Sequence, residues 1–259
     1  MEEVSLKIQR FDPSAEKAPH MESYQVPLTY GMTVLDALLY AKHRLDHGIS
    51  LRFSCRMAAC GSCGMKIDGR PRLACETRLA DLGTIVKVQP MDNFPILRDL
   101  VVDLDGFFAK HAALSPGIVR KSDAGEQESP TGEYLMKPEE LDHLVQFTYC
   151  IKCGLCSSAC PTSSTDTLFP GPQALAQAYR FLSDPRDEAW DERLDAVDKD
   201  HGVWRCHFAG TCSSVCPKGV DPALGIQLLK RHVMSGRSKR KKGASLFVNP
   251  NKELLEPRE

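Results

Sequence analysis

Eleven cysteines stand in three tight groups: Cys55, Cys60, Cys63 and Cys75; Cys150, Cys153, Cys156 and Cys160; and Cys206, Cys212 and Cys216. No other feature constrains the fold as strongly, because thiols grouped this way must converge on something. Disulfides fit poorly. The count is odd, and the N-terminus MEEVSLKIQR is charged where a secretory signal would carry an apolar core, so export through one is not expected. With 42% hydrophobic residues in 259, the chain can also build a core without covalent staples. Metal or redox chemistry is what remains.

The first group reads C-x4-C-x2-C-x11-C, the spacing of plant-type 2Fe–2S proteins. A tight loop brings Cys55, Cys60 and Cys63 together, and Cys75 reaches in from a later strand. Gly61 and Gly64 suit a backbone that must come close to sulfides and donate N–H bonds to them. Arg52 and Arg56 are placed to add positive charge beside an anionic cluster. A zinc site is the bland alternative, but its usual form is two C-x2-C pairs, and only one is present.

The second group, ending Cys160–Pro161, is C-x2-C-x2-C-x3-C-P. In that bacterial ferredoxin run the fourth cysteine ligates the other cluster of a two-cluster protein. The third group, C-x5-C-x3-C-P, supplies the partner. By reciprocity Cys150, Cys153, Cys156 and Cys216 hold a 4Fe–4S cluster. Cys160, Cys206 and Cys212 hold another that has three ligands, with Ala209 at the vacant corner. A methyl group cannot coordinate iron, so this cluster is expected to be 3Fe–4S. All eleven cysteines are then used.

Around these groups the pattern reads as an α+β chain: strands, a helix, a Cys-rich loop and further strands that resemble the β-grasp of plant-type ferredoxins, a 2Fe–2S ferredoxin-like domain (1–105), then an all-α, bacterial-ferredoxin-like domain (106–259). Val4, Leu6 and Ile8 alternate as a half-buried strand, and Pro27 puts the Tyr24–Leu28 run at a sheet edge. Thr33 caps a helix with Val34, Leu35, Leu38, Leu39 and Leu45 on its apolar face. Strands are expected near Met65–Ile67 and Thr84–Val88. Met91–Asp105 reads as a connector, running into an apolar Val101–Phe108 stretch that begins a helix, and Lys121–Glu133 as a surface loop. Helices follow over Glu139–Tyr149, with Leu141, Leu144, Val145 and Phe147 on one side, then from Pro172, and from Asp221–Pro222 with Leu224, Leu228 and Leu229. Trp190 and Trp204 are expected in the core, Trp204 shielding a cluster.

Charge and hydropathy exclude other classes. Lys plus Arg (33) nearly cancels Asp plus Glu (34), which gives nucleic acid no basis as a partner. No run approaches the roughly 18 apolar residues of a membrane span. No catalytic residues stand out; the chain reads as a wire of three clusters.

The motifs SCRMAACGSCGM (Ser54–Met65), RLAC (Arg72–Cys75), NFPILRDLVVD (Asn93–Asp103), CIKCGLCSSACP (Cys150–Pro161), FPGP (Phe169–Pro172) and GVWRCHFAGTCSSVCPKGVDP (Gly202–Pro222) resemble the iron–sulfur subunit of succinate dehydrogenase and quinol:fumarate reductase. The resemblance implies an electron-transfer subunit between an FAD-bearing flavoprotein and membrane-anchor subunits, with quinone at the membrane end. It implies a peripheral position on the cytoplasmic face of a bacterial or archaeal cell membrane, with the dicarboxylate chemistry on the flavoprotein. Lys230 and Gln227 sit where the fumarate-reductase branch has polar residues near quinone. His207 is typical of the succinate dehydrogenase branch, whereas the tryptophan that several dehydrogenases carry after the C-P turn is replaced here within Thr162–Asp166. The basic run Lys239–Lys242, with Arg231 and Arg237 upstream, is read as a solvated tail or a contact for anionic headgroups. Two alternatives stay open: a soluble fumarate reductase, disfavoured because no cysteine follows Cys216, and a stand-alone multi-cluster ferredoxin, disfavoured because clusters at both ends imply a partner at each.

Overall fold

The computed structural model describes residues 3–15, 18–123, 128–129 and 131–235, and the backbone of 247–248. Alternation sets the first layer. In β1 (Glu3–Arg10) Val4, Leu6 and Ile8 face inward, and β1 pairs antiparallel with β2 (His20–Pro27), Val4 opposite Val26. Strand β5 (Ile85–Gln89) lies parallel to β1 on its other side, followed by β3 (Gly64–Ile67) and β4 (Arg70–Leu73), in the order β2-β1-β5-β3-β4. Both edge strands carry a proline, Pro27 and Pro71, where a missing ladder donor is tolerated. Helix α1 (Val34–Tyr40) shares the core with Leu6, Ile8, Ile67 and Val86. Thr33 caps it: its hydroxyl accepts from Asp36 N–H, and the Asp36 carboxylate accepts from Thr33 N–H. This is the expected β-grasp.

Several expectations are corrected. Leu45 does not join the apolar face of α1. The helix widens into a π turn at Ala41–Leu45, closed by Asp46 N–H on Ala41 C=O, and the wider turn swings Leu45 outward to 48% exposure. The Met91–Asp105 connector contains a short hairpin, β6 (Ile96–Arg98) with β7 (Val101–Val102). At its turn the buried Asp99 carboxylate accepts from Phe11 N–H (2.9 Å), Ser50 N–H (2.8 Å) and Arg10 Nε (3.2 Å), which fastens the connector to the sheet.

Helix α2 (Asp105–Ala112) starts within the apolar stretch as expected. The Glu139–Tyr149 segment is two helices, α3 (Pro138–Asp142) and α4 (Val145–Thr148). The break at Leu144 turns Leu141 to solvent while Leu144 and Phe147 stay buried. Short helices α5 (Leu155–Ser158) and α6 (Pro161–Thr165) precede α7 (Pro172–Leu182), which is buried on nearly all sides. Then come α8 (Trp190–Val197), α9 (Thr211–Ser214) and α10 (Pro222–Ser235). On α10 the buried residues are Pro222, Ala223, Gly225, Ile226 and Leu229, and Leu224 is exposed. Phe147, Phe169, Leu175, Tyr179, Leu194, Val203 and Leu229 form the second core.

Trp204 is 42% exposed, its indole N–H donating to Asp198 (2.7 Å), and Trp190 is half-buried against His232. The Lys121–Glu133 loop begins clasped to the helical part: Lys121 and Ser122 N–H donate to Glu188 Oε2. Its residues 124–127 and 130, and the basic run with Arg237, lie outside the described residues.

Candidate metal centres

The loop between α1 and β3 wraps the first group. Arg56 and Ala58 adopt positive φ, which turns successive backbone N–H groups inward. Met57, Ala59 and Cys60 N–H donate to Cys55 Sγ, Cys55 and Ser62 N–H to Cys60 Sγ, and Ala58 N–H to Cys75 Sγ, at 3.2–3.5 Å. Such a cradle stabilises sulfur that carries negative charge. The Ser62 hydroxyl and the Cys55 and Ser62 N–H groups pull the exposed Cys60 thiol down to about 6. Burial pushes Cys63 up to about 12. One edge of the site is wet and the other is core. Arg52 donates to Val102 C=O (2.8 Å), and the Arg56 guanidinium lies over Phe53.

The second site is a cavity lined by Cys150, Cys153, Cys156 and Cys216 together with Ile151, Leu155 and Val220. Cys216 arrives there from the chain's third group. The third cavity is lined by Cys160, Cys206 and Cys212, with His207, Phe208 and Ala209 at the same wall. The two cysteine loops repeat one backbone form. Lys152 (φ +55°) and Gly154 (φ +80°) flank Cys153, just as Phe208 (φ +57°) and Gly210 (φ +73°) flank Ala209. In each, the glycine precedes a one-turn helix, α5 or α9, whose second residue is a cysteine, Cys156 or Cys212.

The donors suit polynuclear clusters. Burial first, and repulsion from neighbouring sulfurs among the further causes, raise Cys153 and Cys212 to about 11 and Cys156 well above its ordinary value. Thiols crowded together out of water ionise only against a strong local cation. Yet among the described residues no three cysteine, histidine or carboxylate side chains converge closely enough for a single ion. A tetrahedral zinc needs its sulfurs about 2.3 Å from one point.

The centres adjoin one another. Gly61 of the first loop packs on Cys153 of the second, and Cys156 feels the charge of Cys212 across the second and third. Asn93, also at positive φ, donates from Nδ2 to the carbonyls of Ser157 (2.9 Å), Ser158 (3.1 Å) and Cys160 (3.1 Å), tying the N-terminal half to the helix between them. Its signal in sequence was faint: an asparagine before Phe-Pro, a residue type that tolerates left-handed backbone. A Cβ on Gly61 would meet Cys153 Cβ at 2.8 Å and one on Gly64 would meet Cys153 C=O at 3.2 Å, so close approach of Cys153 is a further reason for glycine beside the expected approach of sulfides. His207 is exposed at the third cavity, and Lys230 Nζ donates to Cys206 C=O (2.8 Å). Gln227 does not line that cavity; its Nε2 is buried without a partner.

A β-grasp joined to a helical segment, with cysteines disposed around three linked centres, defines an iron–sulfur electron-transfer protein. Residues 5–109 match the family model for a 2Fe-2S iron-sulfur cluster binding domain, and residues 146–220 that for a 4Fe-4S dicluster domain. The fumarate reductase iron-sulfur subunit of Mycobacterium tuberculosis is 46% identical over 89% of this chain and 92% of its own length. The succinate dehydrogenase iron-sulfur subunit of Coxiella burnetii is 38% identical over 89% and 97%. A chain of the Mycobacterium smegmatis Sdh1 complex superposes with a TM-score of 0.81 at 27% identity, covering 90% of this chain and 96% of that one. The chain belongs to the family of iron–sulfur subunits of fumarate reductase and succinate dehydrogenase, oxidoreductase components that carry 2Fe–2S, 4Fe–4S and 3Fe–4S clusters.

Proposed function

We propose that residues 1–105 carry the 2Fe–2S cluster on Cys55, Cys60, Cys63 and Cys75, and that residues 106–259 carry the other two. Cys150, Cys153, Cys156 and Cys216 hold the 4Fe–4S cluster, and Cys160, Cys206 and Cys212 the 3Fe–4S cluster. When bound, the clusters accept and release single electrons; the chain's own residues space them, exclude water and supply N–H donors. The observation that carries this reading is the run of neighbours from Cys60 and Gly61, which packs on Cys153, to the second loop and on to Cys212, the last step joined by the Thr211 hydroxyl donating to Ala159 C=O (2.9 Å). One end of that run is exposed at Cys60, which suits electron exchange with an FAD-bearing partner subunit that hosts the dicarboxylate chemistry.

The other end opens beside His207 and Lys230, which suits quinone held at a membrane-anchor subunit, with Gln227 behind. No helix among the described residues is long and apolar enough to cross a membrane, so attachment to the cytoplasmic face of the cell membrane would come through the anchor subunits. The test is purification of the tagged complex with metal analysis. The reading expects a flavoprotein and small hydrophobic subunits to co-purify, with about nine irons and about ten sulfides per chain for clusters of these three types. A chain isolated alone, a count near four irons, or stoichiometric zinc would overturn it.

A further inference from the structure

Gln173, one residue into α7, is 2% exposed and forms part of the cavity wall beside Cys150. Among the described residues, it and Lys218 are the only polar side chains besides the cysteines in that lining. Its Nε2 lies 3.2 Å from Nδ1 of the buried His111, and its Oε1 is buried without a partner. An unpaired amide oxygen is unfavourable in such a place, and more so beside sulfurs that become thiolates when iron binds. The two ends of an amide have the same shape. A half turn about the last side-chain bond lets Oε1 accept from His111 Nδ1–H and frees Nε2–H for the sulfurs. Cys150 and Gln173 line the same cavity, so a sulfur stands on the wall that the freed N–H faces.

We propose that Gln173 donates a hydrogen bond to the Cys150 corner of the 4Fe–4S centre, oriented by His111, and thereby raises the reduction potential of that centre. The inference rests on the ligand set given above. Physically, a cluster on four thiolates is anionic and gains a further negative charge on reduction, so a donor stabilises the reduced form more than the oxidised one. His111 acts as a positioning residue, since it fixes which end of the amide faces the sulfur.

The experiment is a redox titration of the purified complex followed by low-temperature EPR, on wild type, Gln173→Leu, Gln173→Glu and His111→Phe. Gln173→Leu should weaken reduction of the 4Fe–4S centre about tenfold, equivalent to about 59 mV for one electron, with the 2Fe–2S and 3Fe–4S midpoints unmoved. Gln173→Glu should lower it further, and His111→Phe should lower it less. If leucine prevents assembly, Gln173→Met fills the space without polar atoms and gives the same readout. In the wild type, pulsed EPR should detect nuclear coupling from side-chain ¹⁵N-labelled glutamine. An unmoved 4Fe–4S midpoint with full iron content, a parallel shift of all three midpoints, or no such coupling would overturn the proposal. A wild-type iron count lacking the 4Fe–4S cluster would instead overturn the ligand set.

Discussion

A Cβ placed on Gly61 would stand 2.8 Å from the Cβ of Cys153 and 2.9 Å from its Cα, so the first cysteine loop meets the second with no side chain between them. Gly31 has nearly the same φ (+74° against +78°) but nothing within 4 Å. The pair separates backbone strain from contact. Gly31→Ala should cost about 1–2 kcal/mol, the left-handed penalty alone. Gly61→Ala should cost more and should slow electron passage from the 2Fe–2S to the 4Fe–4S centre. Thermal melts and rapid-mixing reduction read the two effects; equal losses in both variants would show that the loops yield freely.

Ala209 occupies the place in its loop that Cys153 holds in the other, between two positive-φ residues. Ala209→Cys should supply the missing thiolate with little backbone movement. The EPR signal of the air-oxidised 3Fe–4S cluster should vanish and a second reduced 4Fe–4S signal should appear. Because the added thiolate lowers the potential, quinone reduction should slow more than reduction of dyes that accept upstream. Persistence of the original signal would mean that Ala209 is not the vacant corner.

Arg193 and Asp187, each 2% exposed, form a buried pair (2.8 Å and 3.0 Å) in which Arg193 also donates to the carbonyls of Leu114 and Gly117. Asp187→Ala strands a guanidinium out of water and should destabilise the helical half by about 3–5 kcal/mol. Adding Arg193→Met should recover part of that loss. Denaturant midpoints test this, and a single variant as stable as the double would contradict it.

His232 stacks on Tyr179 (6.2 Å between centroids) and meets Trp190 edge-on (5.1 Å). Burial, then the neighbouring Arg231, holds its pKa below the ordinary value. The unfolded chain therefore binds more protons than the folded one between the two values. Stability from this group is full above about pH 6.5, the unfolded value, and is lost as pH falls through 6.5 toward the folded one. His111 is depressed by burial and by Lys152 and acts in the same direction. His232→Phe should flatten, without abolishing, the fall in stability between about pH 7 and pH 5.5. An unchanged slope would mean that this imidazole titrates as it does in water.

What could be read without coordinates follows from where the forces act. Cysteine spacing, the Thr33 cap and Pro172 at a helix start are local, fixed by a few neighbouring residues, and each was legible. Leu45 was misplaced because a single i→i+5 turn rotates everything beyond it, and a 3.6-residue period cannot register that. A strand bearing Cys75 was expected, but its bounds were not: β4 is Arg70–Leu73, whose arginines and Pro71 hide its pairing with β3, and Cys75 lies in the turn after it. Of the centres, the three cysteine groups stand out in the sequence, whereas the contacts of Gly61, Asn93 and Gln173 are made with residues some 60 to 90 positions away. A pattern along the chain carries no trace of such meetings.

Leu155 is 0% exposed, and the core it belongs to is that of the N-terminal sheet, alongside Met65, Leu73 and Met91. It stands between Cys153 and Cys156, so the second cysteine loop is anchored inside the core of the N-terminal sheet. Electron tunnelling decays exponentially with the width of the gap, and an average over a breathing gap is governed by its rare short excursions. A gap bounded on both sides by one packed interior has little breathing to average. The first transfer step should accordingly keep a nearly constant rate as solvent viscosity changes, whereas a step across two loosely tethered modules would slow with it.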